Sequence, residues 1–237
     1  MQKQMDQQYL SCERKHTFIL LMTNAGMMGA YTFNLRGGIF CNAQTANVVM
    51  MAIAFGKCHW AEGFYYLIPI TAYCMGAFIS EVLPSPIKRL GLLRWDTCLI
   101  GFEALTLFVI GFIPLSWPDQ VVQVIVNFIA SMQYNTFRQA EGMPMATTFC
   151  TNHVRQIGII LAKMIRKKDY SEEKAHMHLG MLACFFLGGV VLTFLCKIVA
   201  EKAIWVAIIP MGIAFFKLAY ADLTYEHDLL DNKPRGH

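Results

Sequence analysis

The chain alternates long apolar runs with short polar breaks. Eight runs approach the roughly 20 mostly apolar residues that a bilayer-spanning helix needs. They are 17–35, 39–56, 64–82, 97–115, 121–137, 146–165, 178–197 and 203–220. The breaks carry turn chemistry: Arg36-Gly37-Gly38, Pro84-Ser85-Pro86, Ser116-Trp117-Pro118-Asp119 and Glu141-Gly142-Met143-Pro144. The second, fifth and sixth runs differ from the rest because Asn, Gln and Thr enter them. The pattern predicts an all-α, polytopic integral membrane protein.

Two of these runs match each other. GGIFCNAQTANVVMMAIAFGK begins at Gly37, and MPMATTFCTNHVRQIGIILAK begins at Met143. Thr45, Asn47 and Lys57 fall opposite Thr151, His153 and Lys163 at a constant offset of 106 residues (151 − 45, 163 − 57). The same offset carries the fourth run onto the eighth and, less well, the third onto the seventh. The chain therefore reads as two related four-helix halves, 17–115 and 121–220, flanked by tails at 1–16 and 221–237. Four crossings are an even number, so the halves are expected to form a parallel repeat.

Composition strengthens the membrane reading. Of 237 residues, 56% are hydrophobic and 15% charged, against about 25% charged in soluble proteins. No A-x-A-like cleavage site follows a short apolar run, so the first run is expected to stay as an anchor. The formal charge of +4 is too small to suggest nucleic acid, and membrane lipid is the expected surrounding. Eight scattered cysteines without C-x-x-C spacing read as small buried hydrophobes.

Charge also sets an expected orientation. With eight crossings and the N-terminus inside, twelve Lys and Arg lie in the cytoplasm: Lys3, Arg14, Lys15, Lys57, Lys163, Arg166, Lys167, Lys168, Lys174, Lys217, Lys233 and Arg235. Seven lie outside: Arg36, Lys88, Arg89, Arg94, Arg138, Lys197 and Lys202. Both termini are thus expected in the cytoplasm of a plasma-membrane protein.

Chemistry is expected where polar groups enter the apolar runs. In the fifth, Gln123, Asn127, Ser131, Asn135 and Arg138 share one helical face, with Gln133 as an outlier needing its own partner. In the sixth, Thr147, Thr148, Thr151, Asn152 and Arg155 cluster. In the second, Asn42, Gln44, Thr45 and Asn47 precede an apolar stretch. Helix starts of this kind, pointed into the interior, favour anionic groups; the same residues could instead be ordinary caps or interhelical glue. Arg155 inside a span would cost about 2.5–3.5 kcal/mol on insertion scales and should face inward. Glu103 is the carboxylate set well inside a run, so it is either the partner of Arg155 or a coupling group. Asn47, Asn135, Thr148, Asn152 and Arg155 are expected to converge on one polar interior region.

The order AGMMGAYTF, GGIFCNAQTANVVMM, SMQYNTFRQ, MATTFCTNHVRQIG resembles the YoaK-like membrane proteins, domain of unknown function 1275. Their usual order is A-G-x-x-D-A, T-G-N, G-x-Q-N-A and T-T-x-x-T-G. Gln133 and Asn135 keep the Q and a nearby N, with the spacing altered by Tyr134, and Thr147, Thr148 and Thr151 keep T-T-x-x-T. Gly29 replaces the usual Asp, and Ala46 and Asn152 replace glycines. The resemblance implies a multi-spanning membrane protein and no established activity.

No Walker loop, G-x-S-x-G or H-E-x-x-H occurs, and His176 and His178 do not share a helical face, so no cofactor or metal is expected. The expected function is a small-solute transporter or permease, acting on a small polar or anionic solute between the halves. The alternatives are a membrane-embedded enzyme using Arg155 and Glu103, and a structural or partner-binding membrane protein.

Overall fold

A computed structural model describes residues 9–84, 91–232 and 234. Lys3, Lys88, Arg89, Lys233 and Arg235, counted above for orientation, lie outside the described residues. The elements are helices α1 (Lys15–Leu35), α2 (Gln44–Gly56), α3 (Trp60–Val82), α4 (Trp95–Ile110), α5 (Asp119–Thr136), α6 (Thr151–Ile165), α7 (Glu172–Val199) and α8 (Ile208–Leu223). A 3-10 stretch, Ala200–Ala207, joins α7 to α8. A two-residue hairpin pairs Gln139–Ala140 with Met143–Pro144. Its turn residues, Glu141 and Gly142, both have positive φ, as tight hairpins require.

Contacts fix the direction of each helix. The end of α1 meets the start of α5, because Gln123 Nε2 donates to Arg36 O at 2.7 Å. The start of α1 meets the end of α5, where Phe18 and Phe137 pack edge-on and Glu141 N donates to Glu13 O at 2.8 Å. These two helices are therefore antiparallel. Helices α1 and α7 run parallel: Asn34 bonds Thr193 at 3.2 Å, and Tyr31 Oη donates to Glu201 O at 3.2 Å. Helices α3 and α5 are also parallel, since Tyr65 Oη donates to Gln123 Oε1 at 2.9 Å and Asn135 Nδ2 donates to Ser80 Oγ at 2.9 Å. Helices α4 and α8 are antiparallel: Thr97 Oγ1 bonds Asp222 at 2.6 Å, and Trp205 Nε1 donates to Phe108 O at 3.0 Å.

Two expectations change. First, α2 does not run from end to end. The chain leaves α1 at Arg36 and returns to α3 near Tyr65, and both meet Gln123. Between them, residues 37–43 fold back beside α1 until Asn42 Nδ2 reaches Ala25 O at 3.3 Å. Gly37 and Gly38, at φ 77° and 69°, make the reversal. Second, helices related by the offset of 106 run in opposite senses: α1 against α5, α3 against α7, α4 against α8. The parallel arrangement is not the observed one. Each of the segments 36–60 and 137–172 thus returns to the end of the bundle from which it set out.

The packing is otherwise regular. Helix α1 packs on α7, and α5 on α3; α2 packs on α3, and α6 on α7; α1 packs on α8, and α5 on α4; α4 packs on α8. Close approach relies on missing side chains. A Cβ at Gly188 would collide with the Thr23 carbonyl, and one at Gly76 with the Phe128 carbonyl.

Polar residues are buried beside the apolar core, and large apolar ones face outward. Asn24, Glu103, Gln123, Asn127, Ser131, Gln133, Thr147 and Thr148 are fully buried. Phe78, Leu105, Phe112, Phe186, Phe194 and Phe216 are each more than 60% exposed. Among the described residues, α3 and the stretch Glu172–Leu223 are long and apolar enough to cross a membrane.

The first and last described segments lie at one end of the bundle and pack on each other. Ser11 N and Oγ bond Glu226 Oε1 at 2.8 Å. Arg94 is a buried hub, with Nε 3.2 Å from Asp222 and donations to Leu229 O at 2.6 Å and Asn232 O at 3.1 Å. Arg94 and Arg138, expected on the far side from the termini, stand at the same end as them; Lys57, expected with the termini, stands at the other. The return of each short-helix segment to its own end accounts for both changes.

Candidate functional site

The first polar cluster gathers where α2 begins. Gln44 Nε2 donates to Asn127 Oδ1 at 2.6 Å and to Cys41 O at 3.3 Å. Asn47 Nδ2 donates to Gln44 Oε1 at 3.0 Å and to Phe40 O at 3.5 Å. Asn127 Nδ2 donates to Gln123 O at 2.7 Å. Gln123 in turn accepts from Tyr65 and donates to Arg36 O. Asn42 is buried against α1, where a Cβ on Gly29 would come within 3.3 Å of its amide. Thr45 is exposed. The chain of bonds is continuous, and it fastens the tip of α2 to α1, α3 and α5.

The second cluster, where α6 begins, is less satisfied. Residues 145–148 are buried. Gln133 Nε2 donates to Thr147 O at 3.4 Å, but Gln133 Oε1 and Thr147 Oγ1 have no hydrogen-bond partner. Thr148 lies beside the Tyr73 hydroxyl. An unsatisfied buried polar atom costs about 1–3 kcal/mol, so neighbouring ones mark a place suited to water or a solute. His153 faces Ala146 O through Nε2 at 3.0 Å and His178 Nδ1 through Nδ1 at 3.1 Å. This pair fastens α6 to α7.

A cavity of about 400 Å³ opens beside this second tip, lined by Tyr134, Asn135, Arg138, Phe149 and Asn152 among others. Asn135 bonds Ser80 Oγ and Glu81, and Arg138 bridges Glu81 at 3.2 Å. Asn152 Oδ1 accepts from Arg155 at 2.9 Å. Thr151 and Arg155 are exposed. The polar face of α5 is therefore shared out along its length: Gln123 and Asn127 serve the tip of α2, Ser131 bonds the Tyr73 carbonyl, and Asn135 reaches the cavity.

The expected single region is thus two. Asn47 belongs to the first cluster. Asn135 and Asn152 line the cavity at the second, Thr148 lies buried behind it, and Arg155 reaches it through Asn152. The Arg155–Glu103 pair is not formed. Arg155 sits on the surface of α6, which packs on α7, whereas α4 packs on α5 and α8. Glu103 is fully buried, and neither of its carboxyl oxygens has a hydrogen-bond partner. Burial alone explains the position of Arg155: α6 buries only His153 and Ile160.

Two features escaped the sequence reading. Arg36, counted there only as a loop charge, is fully buried and donates to the Ile113 and Pro114 carbonyls past the end of α4. His178 was paired in sequence with His176; in space its partner is His153. The i, i+2 spacing excluded a shared face, but nothing in the chain pointed across 25 residues to α6.

The tips of α2 and α6 approach a common region. Asn42 and Cys150, each just before its helix, line one cavity with Gly26 and Gly29 of α1. No curated protein and no solved structure shows significant similarity to the chain. A family model does match, over residues 17–216, and with most of its length covered the chain belongs to the family of proteins of unknown function DUF1275.

Proposed function

We propose that the protein is a multi-pass membrane transporter or permease for a small polar or anionic solute, built as an inverted repeat. In each half three helices cross the bilayer, and one short helix, α2 or α6, enters and returns. The observation that supports this reading is the pair of short helices, which are reached from opposite ends of the bundle and whose preceding residues, Asn42 and Cys150, line one shared cavity. Irregular backbone at membrane depth is tolerated where it is buried in protein or lines a cavity, and broken helices at a repeat interface are a common way to hold a solute. Buried amides and hydroxyls with apolar side chains outside suit a lipid surround.

The solute site in this reading is the cavity at the second tip. Asn135 and Asn152 supply neutral hydrogen bonds, Arg155 supplies charge without a carboxylate partner among the described residues, and Tyr134 and Phe149, 4.8 Å apart between ring centroids, supply walls. Thermal-shift screening of the purified protein against small carboxylates, phosphates and neutral polar solutes tests it. The expected result is stabilisation by an anion, lost in Asn152→Ala and Arg155→Gln variants that still fold. Stabilisation that is indifferent to both substitutions removes the site.

A second reading, a structural or partner-binding membrane protein, is favoured by the fully bonded first cluster, which behaves as glue. Under it, no solute stabilises the protein and neither variant has a binding phenotype.

A further inference from the structure

A groove of about 630 Å³ lies between α1 and α7. It lies within the usual size of a small-molecule site, about 300–1,000 Å³. Gly26 and Gly189 form its floor, and Phe33, Phe186 and Phe194 stand along its walls. The three phenylalanines are 48%, 66% and 63% exposed, so the groove opens to the surface rather than into the core. At its mouth, the end of the bundle away from the termini, Asn34 and Thr193 bond to each other at 3.2 Å and Lys197 lies beyond them. Lys197 is exposed and forms no ion pair among the described residues. At its deep end are Asn42 and Cys150, the tips of the two short helices.

Length and polarity agree on one kind of occupant. Leu182 and Lys197, which both line the groove, lie about 22 Å apart along α7 at 1.5 Å per residue. That is more than one leaflet of a hydrocarbon core about 30 Å thick. The slot is apolar along this length and cationic at one mouth, where a headgroup would lie. A lysine near a helix end reaches naturally into that layer.

We infer that this groove binds one acyl chain of an anionic membrane phospholipid, with the phosphate held by Lys197. The inference rests on the membrane reading but not on transport. The chain would lie along the floor of Gly26 and Gly189, where α1 and α7 come close enough that a Cβ at Gly26 would strike the Phe185 carbonyl. Its far end would touch the segments that carry Asn42 and Cys150, so lipid would brace the tips of both short helices.

Binding of phosphatidylglycerol and of phosphatidylcholine with the same acyl chains, measured on the detergent-purified protein by native mass spectrometry, tests this. The expected result is one retained phosphatidylglycerol per chain, bound several-fold more tightly than phosphatidylcholine. Lys197→Gln should lower the phosphatidylglycerol affinity about fivefold, the worth of one cation near a charged lipid surface, and leave phosphatidylcholine unchanged. Gly189→Phe should abolish retention of both; Lys197→Gln keeps the test decisive if that variant folds poorly. Equal retention of the two lipids, or a preference untouched by Lys197→Gln, overturns the proposal. So does a dimer whose interface occupies the groove and excludes lipid. Failure of the chain to associate with membranes at all would instead remove the membrane reading.

Discussion

Glycine 188 has no side chain because the Thr23 carbonyl of α1 occupies the space where one would be. Gly188→Val should therefore force α1 and α7 apart and destabilise the protein by about 1–3 kcal/mol, as overpacking does. Gly212→Ala, which meets nothing within 4 Å, should be neutral or slightly stabilising in the same thermal-denaturation series. Equal effects at the two positions would show that α1 and α7 are not in backbone contact. Cysteine 12 offers a separate check on the packed N-terminal segment. Burial pushes its thiol well above the ordinary value, Asp96 pushes it further in the same direction, and Arg94 opposes. The thiolate is the reactive form, so at neutral pH a maleimide should modify exposed Cys58 and leave Cys12 unmodified until the protein unfolds. Mass mapping after brief labelling reads this out; labelling of Cys12 as fast as Cys58 would contradict the docking of residues 11–14. Neither environment was legible in the chain. Apolar periodicity marks which residues sit in helices, but the contact that makes a glycine or cysteine special comes from a helix distant in sequence.

The two short helices differ in how their polar groups are satisfied, and that difference predicts opposite responses. Gln44→Leu removes the donor to Asn127 and the acceptor for Asn47 together. Asn127 Oδ1 then loses its donor and Asn47 Nδ2 keeps only its 3.5 Å bond to Phe40 O, and stability should fall by about 1–3 kcal/mol. Thr147→Val removes a hydroxyl that has no hydrogen-bond partner in the structure, so stability should hold or rise. If the second tip holds solute, the same change should weaken solute binding. Chemical denaturation of both variants decides; a loss at Thr147 matching that at Gln44 would mean that its hydroxyl is satisfied after all. At this scale the sequence was a good guide to chemistry and a poor one to geometry. The spacing of Gln123, Asn127, Ser131 and Asn135 put them on one face; all four are hydrogen-bonded, the first three fully buried and Asn135 half-buried. The run 39–56 looked long enough to cross a membrane because Ile39, Phe40 and Cys41 are apolar. In fact those residues belong to the returning segment, and the helix begins only at Gln44. Gly37 and Gly38 signalled a turn, but not that the turn leads back along α1.

For the whole molecule, the two returning segments redistribute charge between the ends of the bundle. At the end that carries the termini stand Arg14, Lys15, Arg94, Arg138, Lys163, Arg166, Lys167, Lys168, Lys174 and Lys217. At the other end stand Arg36, Lys57, Lys197 and Lys202. Ten against four, among the described residues, is a stronger bias than the nine against five that eight full crossings give over the same residues, and under the membrane reading it supports the same expectation, termini in the cytoplasm. The offset of 106 residues identified the corresponding helices, but an offset carries no direction; only contacts such as Gln123 with Arg36 supply it. The two arrangements disagree about one turn. With eight crossings, Cys58 between α2 and α3 lies on the same side as Ser171 before α7. With α2 and α6 returning to their own ends, the two lie on opposite sides. Cys58 is exposed in a left-handed turn at φ 61°, so it can serve as its own probe. In intact cells, a variant retaining Cys58 as its sole cysteine should react with a membrane-impermeant maleimide. A cysteine-free chain carrying Ser171→Cys should react only after the membrane is opened. Protection of both sites in intact cells would restore the eight-crossing arrangement. Labelling at Ser171 with protection at Cys58 would keep the inverted architecture and reverse its orientation.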